Sequence, residues 1–233
     1  MTTASTSTEL PTHIGIIMDG NRRWAKAAGF AQASVGHRYG ADHLEDMLGW
    51  LTARGIRHAS VYVLSADNIR KRSGEEVDYL FRLIKEVVPQ KVQNTGEWQL
   101  HIAGDLGLLP DQSAAALRKA VAATAARRSH LTLAIGYDPK QEMVDAVRAM
   151  LAVGERPDDA SLETAITEHL SGGPIKDIDL VIRTSGERRI SGFFPWQSQR
   201  AEIVFCDKLW PAFDERDLDD ALAEFARRRA SQG

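Results

Sequence analysis

The chain has 233 residues, 43% hydrophobic and 26% charged, with a formal net charge of −3. That is the composition of an ordinary folded domain with room for a substantial core, and it lacks the basic coat of a nucleic-acid binder. The single cysteine, Cys206, excludes a disulfide framework and a cysteine zinc site; its apolar surroundings predict a buried structural thiol. No apolar run approaches the roughly 18 residues of a membrane span. The Thr/Ser-rich start has no signal-peptide core, so residues 1–12 read as a disordered tail ahead of one domain at 13–229. The expected location is cytoplasmic.

The first strand-like run is His13–Met18, which enters Asp19-Gly20-Asn21-Arg22-Arg23-Trp24, a turn and then a helix carrying two arginines. His37 opens the next helix, where Leu44, Met47, Leu48 and Leu51 share one face. The strand His58–Ser65 leads into Asp67, Asn68 and the successive cations Arg70, Lys71 and Arg72. Ser73 with Glu76 has capping-box spacing for a helix whose apolar positions run from Val77 to Val88. Strands follow at Gln99–Gly104 and Leu131–Gly136, either side of an alanine-rich helix, Asp111–Arg128, that Pro110 starts. Lys140–Val153 and Ala160–Ser171 read as helices, and Asp158-Asp159 as a solvated loop or cap. Asp179–Thr184 and Glu202–Cys206 are the last strands, and Glu215–Ala230 is a charged final helix. Such alternation predicts a mainly parallel sheet wrapped by helices, with ligands at the carboxyl ends of its strands. Asp19, Ser65–Asn68 and Arg183 all stand there.

Two segments suit phosphate chemistry. Arg183-Thr-Ser-Gly-Glu-Arg188-Arg189-Ile-Ser191 sets three arginines, hydroxyls and a glycine at a strand exit, where guanidinium forks and backbone N–H groups meet anions. The Asp19–Arg23 turn adds two arginines beside a lone carboxylate, an oxygen ligand suited to Mg²⁺. Taken alone, that turn also fits a simple helix cap. Three cations at Arg70–Arg72 before a helix N-terminus are repelled by its dipole, which an anion would offset. His37 alone fits a structural residue as well as a ligand; Trp196, Trp210 and Phe213 read as core or interface. There is no DDxxD pair, Walker lysine motif or GxGxxG, which argues against helical prenyl synthases, NTPases and nucleotide-dependent dehydrogenases. Two anion sites with one carboxylate point to two diphosphate substrates and a divalent metal.

Taken in order, His13-Ile-Gly-Ile-Ile-Met-Asp-Gly-Asn-Arg-Arg-Trp24, Gly36-His37, Ser65-x-x-Asn68, Arg183-Thr-Ser-Gly-Glu-x-Arg189-Ile-Ser191, Trp196-Gln-Ser and Glu202 resemble the cis-prenyltransferases. The undecaprenyl diphosphate synthases are the best-known members, and the likeness runs from residue 13 to about 229. It implies a single α/β domain with a mostly parallel six-stranded sheet, about seven helices and a homodimer. It implies joining of an allylic diphosphate to a second isoprenyl diphosphate, with Mg²⁺ and release of diphosphate. Carried over by residue, Asp19 and Glu202 bind the metal, while Gly20, Asn21, Arg22, Arg23, Trp24, His37 and Arg72 line the allylic site. Arg183, Arg189 and Ser191 hold the second diphosphate, and Asn68 with Ser65 assists proton removal.

The departures ring this site. Ala33 stands where the family usually has an arginine, Ile69 where an aromatic follows Asn68, and Arg188 where a histidine precedes Arg189. Gly192-Phe-Phe-Pro195 replaces a usual Asn-Phe-Leu-Leu, and Asp138-Pro139-Lys140 a Gly-Gly-Arg. Val63-Leu64 is bulkier than the Ala-Phe of long-chain members. A packed tunnel tolerates added methyl groups poorly, so a product of roughly two or three isoprene units is expected. Head-to-middle (lavandulyl-type) and regular head-to-tail condensation both remain open on these residues. A non-catalytic partner subunit and a phosphatase are the alternatives outside synthesis.

Overall fold

Strand β1 (His13–Ile17) has every residue buried, as expected for the centre of a parallel sheet with both faces covered. A computed structural model describes residues 9–71 and 74–231. Among these, β1, β2 (His58–Ser65), β3 (Trp98–Ala103), β4 (Ser129–Tyr137), β5 (Leu180–Arg183) and β6 (Glu202–Phe205) form one sheet in the order β3-β4-β2-β1-β5-β6. Every pairing is parallel. Each expected strand is present, within two residues of its expected bounds.

The helices among the described residues are α1 (Asn21–Ala27), α2 (Val35–Ala53), α3 (Ala66–Lys71), α4 (Gly74–Glu86), α5 (Val88–Asn94), α6 (Asp111–Ala123), α7 (Pro139–Ala152), α8 (Leu162–Glu168) and α9 (Glu215–Ala230). That exceeds the expected seven because short helices escape a periodicity reading: α3 has six residues, and the apolar face from Val77 to Val88 is split where Pro89 starts α5. Helices α6 and α8 are shorter than expected, since Asp111–Arg128 and Ala160–Ser171 end in turns. The expected tail lies outside the described residues through residue 8. From Glu9 the chain is placed: Pro11 is buried, and the Thr12 amide donates to Asp179 at 2.7 Å. Ser73, half of the expected capping box, lies outside the described residues, as does Arg72.

Alternation along the strands sends side chains to two unlike faces. Ile14 and Ile16 of β1 face an aliphatic core built from α2, α4, α5, α6 and α9, with Trp210 and Phe213 buried in it. The opposite face carries Ile17, Tyr137, Phe193 and Phe194 near the carboxyl ends. Gly15 belongs to that face because a Cβ there would lie 2.5 Å from the Phe193 ring. At the amino end the same face holds histidines in register, His13 opposite His58 and His58 opposite His130. His58 and His130 stack at 5.0 Å, His101 Nε2 meets His130 Nδ1 at 2.9 Å, and His13 Nε2 meets Ser60 Oγ at 2.9 Å. Cys206 is half-buried just past β6, and burial raises its thiol pKa, against a reactive thiolate.

Helix α1 lies very close to α2. A Cβ at Gly36 would sit 1.9 Å from the Asn21 carbonyl oxygen, and one at Gly40 would sit 2.2 Å from Asn21 Oδ1. Trp210 Nε1 donates to the Gly40 carbonyl at 2.8 Å and the Trp210 amide to the Asp19 carbonyl at 3.0 Å. These contacts fix the turn after β1 against α2.

Two outcomes follow for stability. Gly36→Ala should destabilise by at least about 1–3 kcal/mol, because backbone must move. Gly49→Ala, exposed in α2 with nothing within 4 Å of the new Cβ, should be neutral or stabilising by about 0.5–1 kcal/mol. Denaturant unfolding of both variants checks this, and equal effects would refute the close packing. The second outcome concerns acid. Burial first, and the neighbouring His58 second, push the His13 pKa down to about 4, whereas the unfolded chain titrates near 6.5. Between those values the unfolded state binds a proton that the folded state refuses. Stability is therefore full above about pH 6.5 and falls on acidification toward pH 4, by about 1.4 kcal/mol per pH unit from His13. Melting curves across that window should be shallower for His13→Gln; an unchanged slope would remove His13 from the account.

Candidate active site

Asp19 and Arg183 come from neighbouring strands. Arg183 ends β5 level with Ile17 of β1, so Asp19, two residues on, reaches its guanidinium. Arg183 Nη2 donates to Asp19 Oδ2 at 2.7 Å, and the Arg183 side chain is only 4% exposed. Thr184, fully buried, fixes the Asp19 backbone: its hydroxyl donates to the Asp19 carbonyl at 2.7 Å and accepts from the Asp19 amide at 3.0 Å. Burial alone would raise the Asp19 pKa, but the hydrogen bond and charge of Arg183 hold it below the ordinary carboxylate value. Oδ2 is thus taken, while Oδ1 faces Arg23 at 3.8 Å. Asp19 stays ionised with an oxygen on the open side.

The remaining bonds of Arg183 turn inward. Nη1 donates to Ser191 Oγ at 2.8 Å and also to the Arg189 carbonyl, and Nε is buried with no partner. Arg183, expected at the second diphosphate, thereby joins β1, β5 and the loop to Ser191. Arg189 itself is 62% exposed and pairs with Glu187. Ser185 and Ser191 hold positive φ of 84° and 51°, which non-glycine residues seldom adopt.

Beside Asp19 lies a cavity of about 670 Å³. Gly20, Asn21, Arg22, Arg23 and His37 line it, and Val63 contributes from β2. Gly20 sits at φ 101°, and a Cβ there would meet Leu209 at 2.8 Å. Asn21 turns its side chain toward α2, donating to the Met18 carbonyl at 3.2 Å, so its main role is to set the turn. Arg22 pairs with Glu76 at 3.3 Å, and His37 Nε2 meets the other oxygen of Glu76 at 3.2 Å. Glu76, expected only as a cap, draws α1, α2 and α4 together across this mouth. Trp24 turns away, against Phe30 at 5.8 Å and Tyr39 at 4.8 Å.

Ser65, Asn68 and Glu202 are not among the residues that line this cavity. Ser65 Oγ accepts from the Asn68 amide at 3.0 Å, which starts α3 at the end of β2. Glu202 opens β6 opposite Leu180, whereas Phe205 is opposite Arg183. Three residues of strand, about 10 Å, separate Glu202 from the level of Arg183, so it does not share a metal with Asp19 of the same chain. It pairs instead with Arg228 of α9 at 3.3 Å. Among the described residues no group of three or more His, Cys, Asp or Glu side chains is gathered for a metal. A larger cleft of about 750 Å³ lies beyond β3 and β4. Asp105, Asp138, Glu142 and Asp145 outnumber its arginines, Arg70 and Arg118, which disfavours a diphosphate there. No helix among the described residues is long and apolar enough to cross a membrane.

The sequence reading did not mark Glu76 or Thr184 as part of the site. Thr184, next to Arg183 in the motif, left a local signal, whereas the place of Glu76 depends on which helices meet.

Comparison with known proteins shows relatives along nearly the whole chain. An isoprenyl transferase of Streptomyces fradiae is 46% identical, over 96% of this chain and 91% of the relative. A (2Z,6E)-farnesyl diphosphate synthase of Mycobacterium tuberculosis is 41% identical, over 99% of this chain and 90% of the relative. Among solved structures, lavandulyl diphosphate synthase from Lavandula x intermedia, in complex with dimethylallyl diphosphate, superposes with a TM-score of 0.83. It is 32% identical, with 93% of this chain and 95% of that one covered. Residues 17–233 match the prenyltransferase family described as "Putative undecaprenyl diphosphate synthase", and the chain belongs to that family.

Proposed function

We propose that this enzyme joins two short isoprenyl diphosphates, releasing diphosphate and giving a short-chain prenyl diphosphate. The observation that carries this reading is the Asp19–Arg183 pair at the mouth of a cavity lined by Arg22, Arg23 and His37. The allylic diphosphate lies against Arg22 and Arg23, which exchange their bonds to Glu76 and Asp19 for phosphate oxygens. Its hydrocarbon tail runs toward Val63. The C–O bond to diphosphate breaks as a C–C bond forms to the second substrate, whose own diphosphate meets the exposed Arg189 near Ser191. The proton then lost from the new chain passes to the departing diphosphate, with Asn68 and Ser65 assisting its removal.

Oδ1 of Asp19 is a hard, ionised oxygen beside phosphate-binding arginines, a donor that fits Mg²⁺ sharing the substrate's oxygens. When bound, that ion would neutralise charge on the leaving diphosphate. Arg72, from the segment after α3, completes the allylic site in this reading. Edge strand β6 pairs with β5 alone among the described residues and presents Ile203, Val204 and Phe205 half-buried. A second copy covering that edge gives the homodimer, and only across it can Glu202 approach the metal.

Product length follows from Val63, which faces the cavity, while Leu64 packs into the aliphatic core. Regular head-to-tail extension is favoured by the relatives named farnesyl diphosphate synthase. Head-to-middle joining is favoured by the lavandulyl synthase likeness and by Phe193-Phe194-Pro195 in the loop after Ser191. Dimethylallyl and geranyl diphosphates should be supplied with and without isopentenyl diphosphate, and the dephosphorylated alcohols identified by mass spectrometry. Product without isopentenyl diphosphate assigns the head-to-middle path; short products only with it assign the regular one. A ladder of long chains would refute the short-chain reading, and simple hydrolysis of one allylic diphosphate the synthase itself.

Two variants test the residues. Asp19→Asn should lower kcat at least roughly 100-fold, since the ionised oxygen is lost, yet keep an acceptor for Arg183. Asp19→Ala should also lower stability, by about 3–5 kcal/mol, because it leaves buried Arg183 uncompensated. Activity and melting measured together separate the two, and near wild-type turnover of Asp19→Asn would remove the metal assignment. Arg189→Ala should raise KM for the second substrate roughly 10- to 100-fold without lowering the melting temperature, because the side chain is exposed. An effect confined to the allylic substrate would reverse the assignment of sites.

A further inference from the structure

Helix α1 sets Arg22, Arg23 and Lys26 along the wall of the 670 Å³ cavity, Arg22 and Lys26 one turn apart on the same face. Their charges are not treated alike. Arg22 is held by Glu76 at 3.3 Å; Arg23 lies 3.8 Å from Asp19 and donates to the Ser185 carbonyl at 3.3 Å. His37, also in the wall, shares Glu76. Among the described residues, nothing forms an ion pair or hydrogen bond with the Lys26 ammonium.

Phe30, Ala31 and Ala33, which follow α1 in the chain, also line the cavity, and none offers a side-chain donor. The Phe30 amide donates to the Ala25 carbonyl at 3.0 Å and its ring meets Trp24 at 5.8 Å and Tyr39 at 5.6 Å, which seats this apolar segment beside the last turn of α1. Lys26 stands in that last turn, next to the apolar stretch of the wall. A surface lysine at the end of a helix gains a few tenths of a kcal/mol from the dipole wherever it points. That gain does not account for its place in the cavity wall beside two arginines already neutralised.

We propose that Lys26 is a ligand of the allylic diphosphate, supplying the charge that Ala31 and Ala33 do not. This rests on the reading that the cavity takes a diphosphate. The flexible ammonium binds as a point charge and needs no partner to be displaced, unlike Arg22 and Arg23. It therefore meets the diphosphate beside the apolar stretch without breaking an internal pair.

The test compares Lys26→Ala and Lys26→Arg with the wild type. Calorimetric titration with inorganic diphosphate reads the site without turnover, and steady-state kinetics with geranyl diphosphate varied reads it during reaction. Lys26→Ala should weaken diphosphate and raise the geranyl diphosphate KM roughly 10- to 100-fold, with the second substrate's KM within about twofold. Lys26→Arg should recover most of both. Because the side chain is exposed, melting temperatures should match. Diphosphate affinity and allylic KM within about twofold of wild type would overturn the proposal, as would a change confined to the second substrate. A wild-type protein that transfers no prenyl group would refute the functional reading, and the diphosphate titration would still decide Lys26.

Discussion

The site depends on a guanidinium that cannot reach water. Arg183 is carried inward because β5 runs through the sheet, and a buried cation must be paired or it destabilises the fold. Asp19, the Ser191 hydroxyl and the Arg189 carbonyl together satisfy most of it, from both ends of a long loop and from the adjacent strand. Those partners are held in turn by Thr184 and by the Trp210 contacts to Asp19 and Gly40. One structural need, neutralising Arg183, thus fixes the position of the Asp19 carboxylate, the proposed metal ligand. It also keeps that carboxylate ionised, which a metal ligand requires.

Charge within the cavity is arranged as exchangeable pairs. Arg22 with Glu76 and Arg23 with Asp19 let the empty protein avoid a cluster of unopposed cations. An incoming anion must displace those partners, so part of its attraction is offset. A diphosphate, with more charge and more oxygens than a monophosphate, can replace both at once. Under the proposed function, selectivity for a diphosphate would follow from that competition and from the close α1–α2 packing at Gly36, which keeps Arg22 and His37 facing the same carboxylate.

Much of this was legible in the sequence. The strands could be read because each is a short β-branched run bounded by turn residues, and Asp19, Ser65 and Arg183 could be placed at strand ends from that alone. Reading stopped short where meaning depends on a distant partner. Capping spacing at Glu76 is a local signal, whereas its contacts to Arg22 and His37 join helices far apart in sequence. Composition places Arg183 in an anion-binding motif but cannot tell a buried guanidinium from an exposed one. Glu202 follows the arginine motif closely in the chain, yet the chain has already returned to the amino edge of the sheet by that residue.

The unlike faces of the sheet explain why the cavity stays small. On one side, aliphatic residues of the strands and α2 are buried together, and Leu64 belongs to that core. On the other, Phe193 reaches over Gly15 and lies tilted against Tyr62, with centroids 5.6 Å apart, so rings cover the strand ends. In the proposed reaction, a chain that starts at Asp19 and passes Val63 has these packed layers on either side. Lengthening the path would require opening a close-packed interior, at a cost of the order of a kcal/mol or more for each displaced side chain. In the proposed reading, the length limit is therefore shared between Val63 at the cavity wall and the packed layers behind it.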